Sequence, residues 1–494
     1  MTTLQGQERL ARVLSSAADI GNEKQDTTHE ECSLGKPDDK NQPVDAFGAT
    51  KKTDIAEIKL VRKLDLWIMP TLWLMYWLNY LDRNAITLAR LNGFEGDLGL
   101  KGSQYNTAVS ILFVNYTLGQ IPSNMLLTRV RPSLFMGGFM IGWAIISGLT
   151  AVVHSYTGII LSRFFLGIVE APYYPGALYM LSTFYTRKEL ATRISVLYSG
   201  NILASAFAGL IAAGVYEMDG IAGIKGWRWL FILQGAVTLV IAVVACFTLP
   251  DEPLTTRWLT PDERQLAHDR IARDTVGLLS STSPWDGLKE AFSDRKVWMF
   301  ILLQHFHLAT NGFKNFFPTI VQTLGFSRLV TLVLTCPPYL IAGGISILWA
   351  RSSGHFNEST WHITAAKLVA IFGFVLGCAT LNVGARYFAM CVFTIGTYAV
   401  NSIILAWVGN TCGQTREKRA SALAIVNVSA TISFIWTPYL WPSWNAPRYV
   451  IPMVASAGFA VAAVVVVWIV RWMLTRLNRK IRTTDSEATL FYAY

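Results

Sequence analysis

The chain has 494 residues, of which 52% are hydrophobic and only 15% charged, where a soluble domain carries about 25% charged residues. Apolar runs of about twenty residues recur along it, so composition excludes a soluble domain and points to a polytopic membrane protein. The net charge of +10 does not indicate nucleic acid. Lys and Arg gather in short segments between apolar runs, the pattern that sets orientation in a bilayer.

Residues 1–62 are polar and rich in Asp, Glu, Lys, Gln and Thr. They read as a disordered cytosolic tail without the apolar core of a signal peptide, so the first span is expected to serve as its own insertion signal. Apolar periodicity predicts spans near 66–87, 104–127, 134–153, 157–181, 194–216 and 229–249. A polar segment, 250–296, follows. Within it Thr260, Pro261 and Glu263 form a helix start, and an amphipathic helix is expected to about Asp274. Six more spans are predicted near 297–323, 328–350, 362–381, 386–408, 420–441 and 450–474, before a cytosolic tail at 476–494.

The expected fold is therefore an all-α membrane protein. Twelve transmembrane helices form two six-helix lobes, 63–249 and 297–475, with a cytosolic central loop. Arg129, Arg131, Arg187, Lys188, Arg193, Arg351, Arg416, Lys418, Arg419 and the C-terminal Arg476–Arg482 cluster all fall on one side of this plan. That side, with both termini, is expected to be cytoplasmic.

Two predicted spans each hold an acid and a base, and each such charge costs about 2.5–3.5 kcal/mol to insert. The first contains Asn79, Tyr80, Leu81, Asp82, Arg83 and Asn84. Asp82 lies 15 residues beyond Trp67, about 22 Å along a helix and in the outer third of the span. The fourth span contains Arg163 and Glu170, seven residues apart and so on one face. Both acid–base pairs lie at similar depth and are candidates to meet around one cavity. Asp82 and Glu170 are read as proton-coupling groups. Arg83, whose planar fork suits a carboxylate, is read as substrate-binding together with Tyr80 and Asn79. Arg163 is assigned a structural or coupling role.

The seventh span carries His305, His307 and Lys314, the last just before a proline-broken stretch, Asn315 to Ile320. A cation beside a helix break marks an anion site, and a lysine snorkelling to the interface is the competing reading. The histidines read as packing residues. Lys367 and Arg386 read as snorkelling near membrane boundaries, and Asn401, Ser402 and Asn427 as polar contacts to substrate. The six cysteines, Cys32, Cys246, Cys336, Cys378, Cys391 and Cys412, show no C-x-x-C or metal-ligand spacing. No metal or other cofactor is expected. Sequons at Asn115, Asn357 and Asn427 lie in spans or on the expected cytosolic side, so no glycan is expected.

The chain resembles the major facilitator superfamily. Within it the chain is similar to the anion:cation symporter branch, specifically the fungal allantoate-permease and nicotinic-acid-transporter group. The resemblance covers about 60–480. It rests on N-Y-L-D-R-N from Asn79, G-Q-I-P-S-N from Gly119, R-F-F-L-G-I-V-E-A from Arg163 with Pro175-Gly176, and G-W-R-W-L-F-I-L-Q-G from Gly226. L-P-D-E-P from Leu249, F-F-P-T-I from Phe316 and A-P-R-Y-V from Ala446 complete it. The resemblance implies alternating access and proton-coupled movement of a small organic anion. Examples are a vitamin such as nicotinate or pantothenate, or a ureide such as allantoate. It assigns Asp82 and Glu170 to proton coupling, Arg83 to substrate and coupling, and Asn427 to substrate. Two features depart from the pattern. The superfamily's G-x-x-x-D-R-x-G-R loop is reduced to Thr128–Pro132, and Lys314 stands where the group more often has a small or polar residue.

The reading is a transporter, not an enzyme: no nucleophile or metal cluster sits at either membrane face. Its expected partners are the anion, protons and the lipid bilayer, not nucleic acid. It is expected to act as a monomer in a fungal plasma membrane. Efflux or intracellular transport of a biosynthetic metabolite is the alternative in the same class. A non-transporting nutrient sensor is the alternative of another class.

Overall fold

The structure is a computed structural model, and it describes residues 55–127, 130–275, 284–412 and 416–484. Most of the expected N-terminal tail, Arg129 and Cys32 lie outside the described residues.

The first helix, α1 (Ile55–Arg90), begins inside the segment expected to be tail. Two forces extend it. Leu60, Val61 and Leu64 are buried against the bundle. Its polar face is tied down by Lys63 to Glu263 at 2.7 Å, Asp65 to Arg193 at 2.7 Å and Glu57 to Arg270 at 3.6 Å. Next come α2 (Gln104–Leu127), α3 (Pro132–Leu149), α4 (Tyr156–Glu170), α5 (Tyr173–Phe184), α6 (Arg187–Tyr216) and α7 (Gly226–Thr248). The fourth predicted span is thus two helices. Pro172 and Pro175 offer no backbone N–H, so the chain breaks after Glu170.

The central segment holds α8 (Pro261–Thr275), as expected, and a second helix that was not, α9 (Pro284–Ser293). Its Leu288 and Ala291 stand three residues apart on one face, a signal too short to separate from loop. Residues 276–283 lie outside the described residues.

The remaining helices are α10 (Arg295–Thr310), α11 (Phe317–Gln322), α12 (Arg328–Leu334), α13 (Cys336–Phe356), α14 (Thr360–Ala379), α15 (Val383–Tyr398), α16 (Asn401–Thr411), α17 (Arg416–Thr431) and α18 (Val450–Thr484). A 3-10 turn, Asn311–Phe316, separates α10 from α11. α18 runs nine residues past the expected boundary at 475, because Leu474 and Asn478 are still buried against the bundle.

Among the described residues eight helical stretches are long and apolar enough to cross a membrane: 132–152, 192–216, 226–248, 328–356, 360–379, 383–411, 421–440 and 450–480. The other segments expected to cross, 66–87, 104–127, 157–181 and 297–323, are helical too. They carry buried charges, interior amides such as Asn106, Asn115 and Gln120, or helix breaks.

Packing follows two groups of helices. In the first, α1 lies against α6 and α7, α3 against α7, and α2 against α4. In the second, α14 lies against α15 and α18, and α10 against α17 and α18. Small residues allow close approach: a Cβ on Gly235 of α7 would lie 2.9 Å from the Ala144 carbonyl of α3. The groups meet where α6 packs on α12 and α13, and where α2 packs on the single turn Ser433–Trp436.

Several of these contacts gather toward one end of the bundle. There Tyr439 donates to Thr107 at 3.1 Å, Arg328 donates to Asn92 at 3.1 Å, and Tyr105 sits edge-on to Phe316. At the same end Asp97 anchors the loop after α1. It accepts from Lys225 and, at 2.7 Å, from Trp227. Burial alone would raise its carboxyl pKa, but these two bonds hold it below the usual carboxylate range.

Candidate functional site

Asp82 and Arg83 are neighbours on α1, so their side chains point about 100° apart. That angle decides their partners. Arg83 turns toward α4, and its Nε donates to Glu170 Oε2 at 2.5 Å. Glu170 is fully buried, and the Arg83 side chain is 11% exposed. The guanidinium also stacks on Tyr116 of α2, 4.2 Å from the ring centre, and lies 5.2 Å from the ring of Tyr80. Glu170 Oε1 remains buried without a hydrogen-bond partner, as does Asn79 Nδ2 one turn before Arg83.

Asp82 faces the other way, into the junction of α1, α3 and α7. It is buried, and it accepts from Ser147 at 3.2 Å and more weakly from Thr238 at 3.5 Å. Both donors are uncharged. Arg163 is also buried, and its Nε and Nη2 have no hydrogen-bond partner. Its closest ring is Phe231, 5.9 Å away. Among the described residues neither expected acid–base pair is an ion pair in itself; the bond runs across them, from Arg83 of the first to Glu170 of the second. Asp82 stands outside that pair, on the opposite flank of α1.

A second cation approaches from the other helix group. Lys314 lies in the 3-10 turn between α10 and α11, where the sequence places a helix break. Its Nζ sits 4.1 Å from the ring centre of Phe434. Phe434 in turn packs 5.0 Å from Phe113, one turn from Tyr116 on α2. An aromatic bridge therefore joins the two cations: Arg83 on Tyr116, and Phe113 on Phe434 beneath Lys314. Lys314 also lines a small pocket with Asn84, Ser205 and Thr335 at the seam of the groups.

Asn427 lies on α17, seven residues before Phe434 and half-buried. Among the described residues its side chain has no bond to Arg83, Glu170 or Lys314. Asn401 joins the groups directly: it accepts from Gln304 at 2.8 Å and donates to Tyr198 of α6 at 3.1 Å. His305 stacks on Trp436, and His307 is buried beside Asn311. His307 Nδ1 is buried without a hydrogen-bond partner.

Two expectations are corrected. Lys367 does not snorkel. It sits eight residues into α14 and is 0% exposed, with no hydrogen-bond partner for Nζ. Its helix face, not its nearness to a boundary, fixes its surroundings. Arg386 does not snorkel either. It is buried and donates to Thr323 Oγ1 at 2.7 Å and to Pro447 O at 2.5 Å, tying loop ends together.

Tyr116, Phe434 and Tyr198 were not singled out from sequence. They are ordinary aromatics in apolar runs until helices from different parts of the chain place cations and amides against them. Among the described residues no group of His, Cys, Asp and Glu is arranged to hold a metal.

Comparison with known proteins agrees with this architecture. The family model described as Major Facilitator Superfamily matches residues 72–438. The MFS-type transporter efuF of Hormonema carpetanum is 32% identical over 86% of this chain and 88% of its own length. The major facilitator-type transporter hxnP of Emericella nidulans is 31% identical over 86% of this chain and 87% of its own. Among solved structures, a bacterial homolog of the human lysosomal transporter Spinster, inward-facing and occupied, superposes with a TM-score of 0.68. It is 16% identical, covers 83% of this chain and 97% of its own, and speaks to the fold alone. The chain belongs to the Major Facilitator Superfamily and is a multi-pass integral membrane transporter, not an enzyme.

Proposed function

We propose that the protein is a proton-coupled transporter of a small organic anion, working by alternating access. The observation that carries this reading is the buried Arg83–Glu170 pair, with a second cation, Lys314, reached across the aromatic bridge. The cluster supplies two cations against one paired carboxylate, the charge balance an anion would complete. In this reading the chain crosses the bilayer twelve times in two lobes, 63–249 and 297–475, as a monomer in the plasma membrane. In the same reading it is an anion:cation symporter, and its substrate a carboxylate such as nicotinate, pantothenate or allantoate.

The mechanism follows from the pair. While Glu170 is ionised it occupies Arg83. A proton on Glu170 removes that charge and frees the guanidinium for a substrate carboxylate. Lys314 then meets the same anion from the second lobe, which draws the lobes together. When substrate leaves, Arg83 returns to Glu170 and the proton departs. Asp82 is the second proton site. Its hydroxyl donors on α3 and α7 must turn when it is protonated, so its charge state is felt by three helices. Asn79 and Tyr80 shape the site beside Arg83, Asn427 contacts substrate from the other lobe, and Arg163 balances the two acids.

The orientation in this reading, with α8 and both termini in the cytosol, is supported by the Lys and Arg asymmetry. Asp262 is exposed at the start of α8. An Asp262→Cys variant should resist an impermeant thiol reagent in intact cells and react after permeabilisation; reaction in intact cells would reverse the orientation.

Arg83→Lys keeps the charge but loses the planar fork and its aromatic stacking. Substrate affinity should fall about ten-fold or more, or about 1.4 kcal/mol. Unchanged affinity in a transport competition assay would show that Arg83 does not hold the carboxylate.

Asp82→Asn and Glu170→Gln hold each site permanently uncharged at nearly constant size. Uphill uptake driven by a pH gradient in proteoliposomes should collapse in both. Exchange of labelled for unlabelled substrate should persist in at least one, because exchange moves no net proton. Normal concentrative uptake by both variants would place coupling elsewhere.

A further inference from the structure

A pocket apart from the Arg83 cluster lies where the start of α3 meets the end of α7 and the turn that follows. Arg131, Leu134, Phe247, Asp251, Arg257 and Trp258 are among its walls. The frame is built rather than fluid. Asp251 Oδ1 accepts from the backbone N–H of Ser133 at 3.0 Å and from its hydroxyl at 2.6 Å, which fastens the turn to the first turn of α3. Trp258 donates to the Thr248 carbonyl at 3.3 Å and stacks on Trp67 with ring centres 5.6 Å apart. The carboxylate of Asp251 is thereby committed to the helix start. Arg131 and Arg257, by contrast, have no acidic partner among the described residues.

The surroundings indicate what these guanidiniums meet. Leu134 is 55% exposed and Phe247 is 71% exposed. Both lie at the ends of helices long and apolar enough to cross a membrane, 132–152 and 226–248. The Trp67–Trp258 stack lies against the same pocket, and indole rings concentrate at the level of the headgroups. A pocket with two free guanidiniums at headgroup level, opening onto an apolar ridge, matches a molecule with an anionic phosphodiester and acyl chains. A soluble phosphate would leave the ridge unused.

We propose that this pocket is a binding site for an anionic phospholipid. Arg131 and Arg257 hold the phosphodiester, and Leu134 and Phe247 seat the acyl chains. Guanidinium matches phosphate through two parallel hydrogen bonds. Anionic lipids are drawn to the basic side of a membrane protein, and this is that side. The site does not depend on what the central cluster transports.

The test uses the full-length protein in nanodiscs of phosphatidylcholine alone or with phosphatidylserine. Retained lipid is counted by native mass spectrometry after partial delipidation. The wild type should retain phosphatidylserine over phosphatidylcholine by about ten-fold, and the double variant Arg131→Gln, Arg257→Gln should lose that preference. A photoactivatable phosphatidylserine should label the wild type at the peptides containing Leu134 and Phe247. This second measurement decides the matter if the variant does not fold. A folded variant with full preference, labelling confined to other peptides, or displacement by inorganic phosphate as effective as by phosphatidylserine would each overturn the site.

Discussion

A charge buried in a membrane protein must find a partner or a cavity, and in this chain that constraint organises the interior. Glu170 has no exposure and Arg83 very little, so each is tolerable mainly because the other is 2.5 Å away. Removing either would leave its partner uncompensated, a loss of about 3–5 kcal/mol for a buried pair. The pair fixes the approach of α1 to α4. The break after Glu170 lets α5 turn back toward α1, where Tyr173 donates to the Leu72 carbonyl at 2.5 Å. Tyr116 lies under the same guanidinium, so α2 is placed by it as well. A structural pin of this kind becomes a switch if one partner takes a proton, since the force holding three helices is then the force the proton cancels.

Among the described residues the second helix group has no such pair beside Lys314 or Lys367; its buried pair, Asp294 with Lys418 at 2.9 Å, lies at the start of α10. Between residues 297 and 480 the only acidic residues are Glu358 and Glu417. Glu358 is paired with Arg471 at 2.9 Å and with His362, at one end of the bundle. Lys314 and Lys367 therefore have no carboxylate of their own within that group. The two halves are electrically unlike where they face the seam: among the described residues one holds Glu170 with Arg83, while Lys314 in the other has no carboxylate beside it. In the proposed reading an anionic cargo between them uses that asymmetry, with Lys314, in the 3-10 turn at the seam, as the cation that would meet it.

Much of this was legible in the sequence, and the limits have physical causes. Charges at Asp82, Arg83, Arg163 and Glu170 stand out because hydrocarbon penalises them. Their pairing does not, because it depends on helix rotation: the 100° between residues 82 and 83 sends one acid toward Ser147 and Thr238 and leaves Arg83 for Glu170. The proline at 318 announced a break in the seventh predicted span, but the 3-10 turn that points Lys314 at Phe434 has no distinct sequence mark. Lys367 was misread because distance along a helix was taken as depth toward water, whereas its face is packed among α14's neighbours. The early start of α1 is not legible because Glu57, Lys59 and Arg62 look like tail until Arg270 of α8 supplies a counter-charge to Glu57.

The claim at the centre is that substrate and proton compete for one ion pair, and proton uptake on binding tests it without any membrane gradient. If a carboxylate substrate takes Arg83 from Glu170, the carboxylate left behind is buried without compensation and must gain a proton. Purified protein in weakly buffered detergent, mixed with its transported anion beside a pH indicator, should take up about one proton per substrate bound. Glu170→Gln should bind the anion and take up none. Binding by the wild type with no proton uptake, or equal uptake by the Gln variant, would contradict the account.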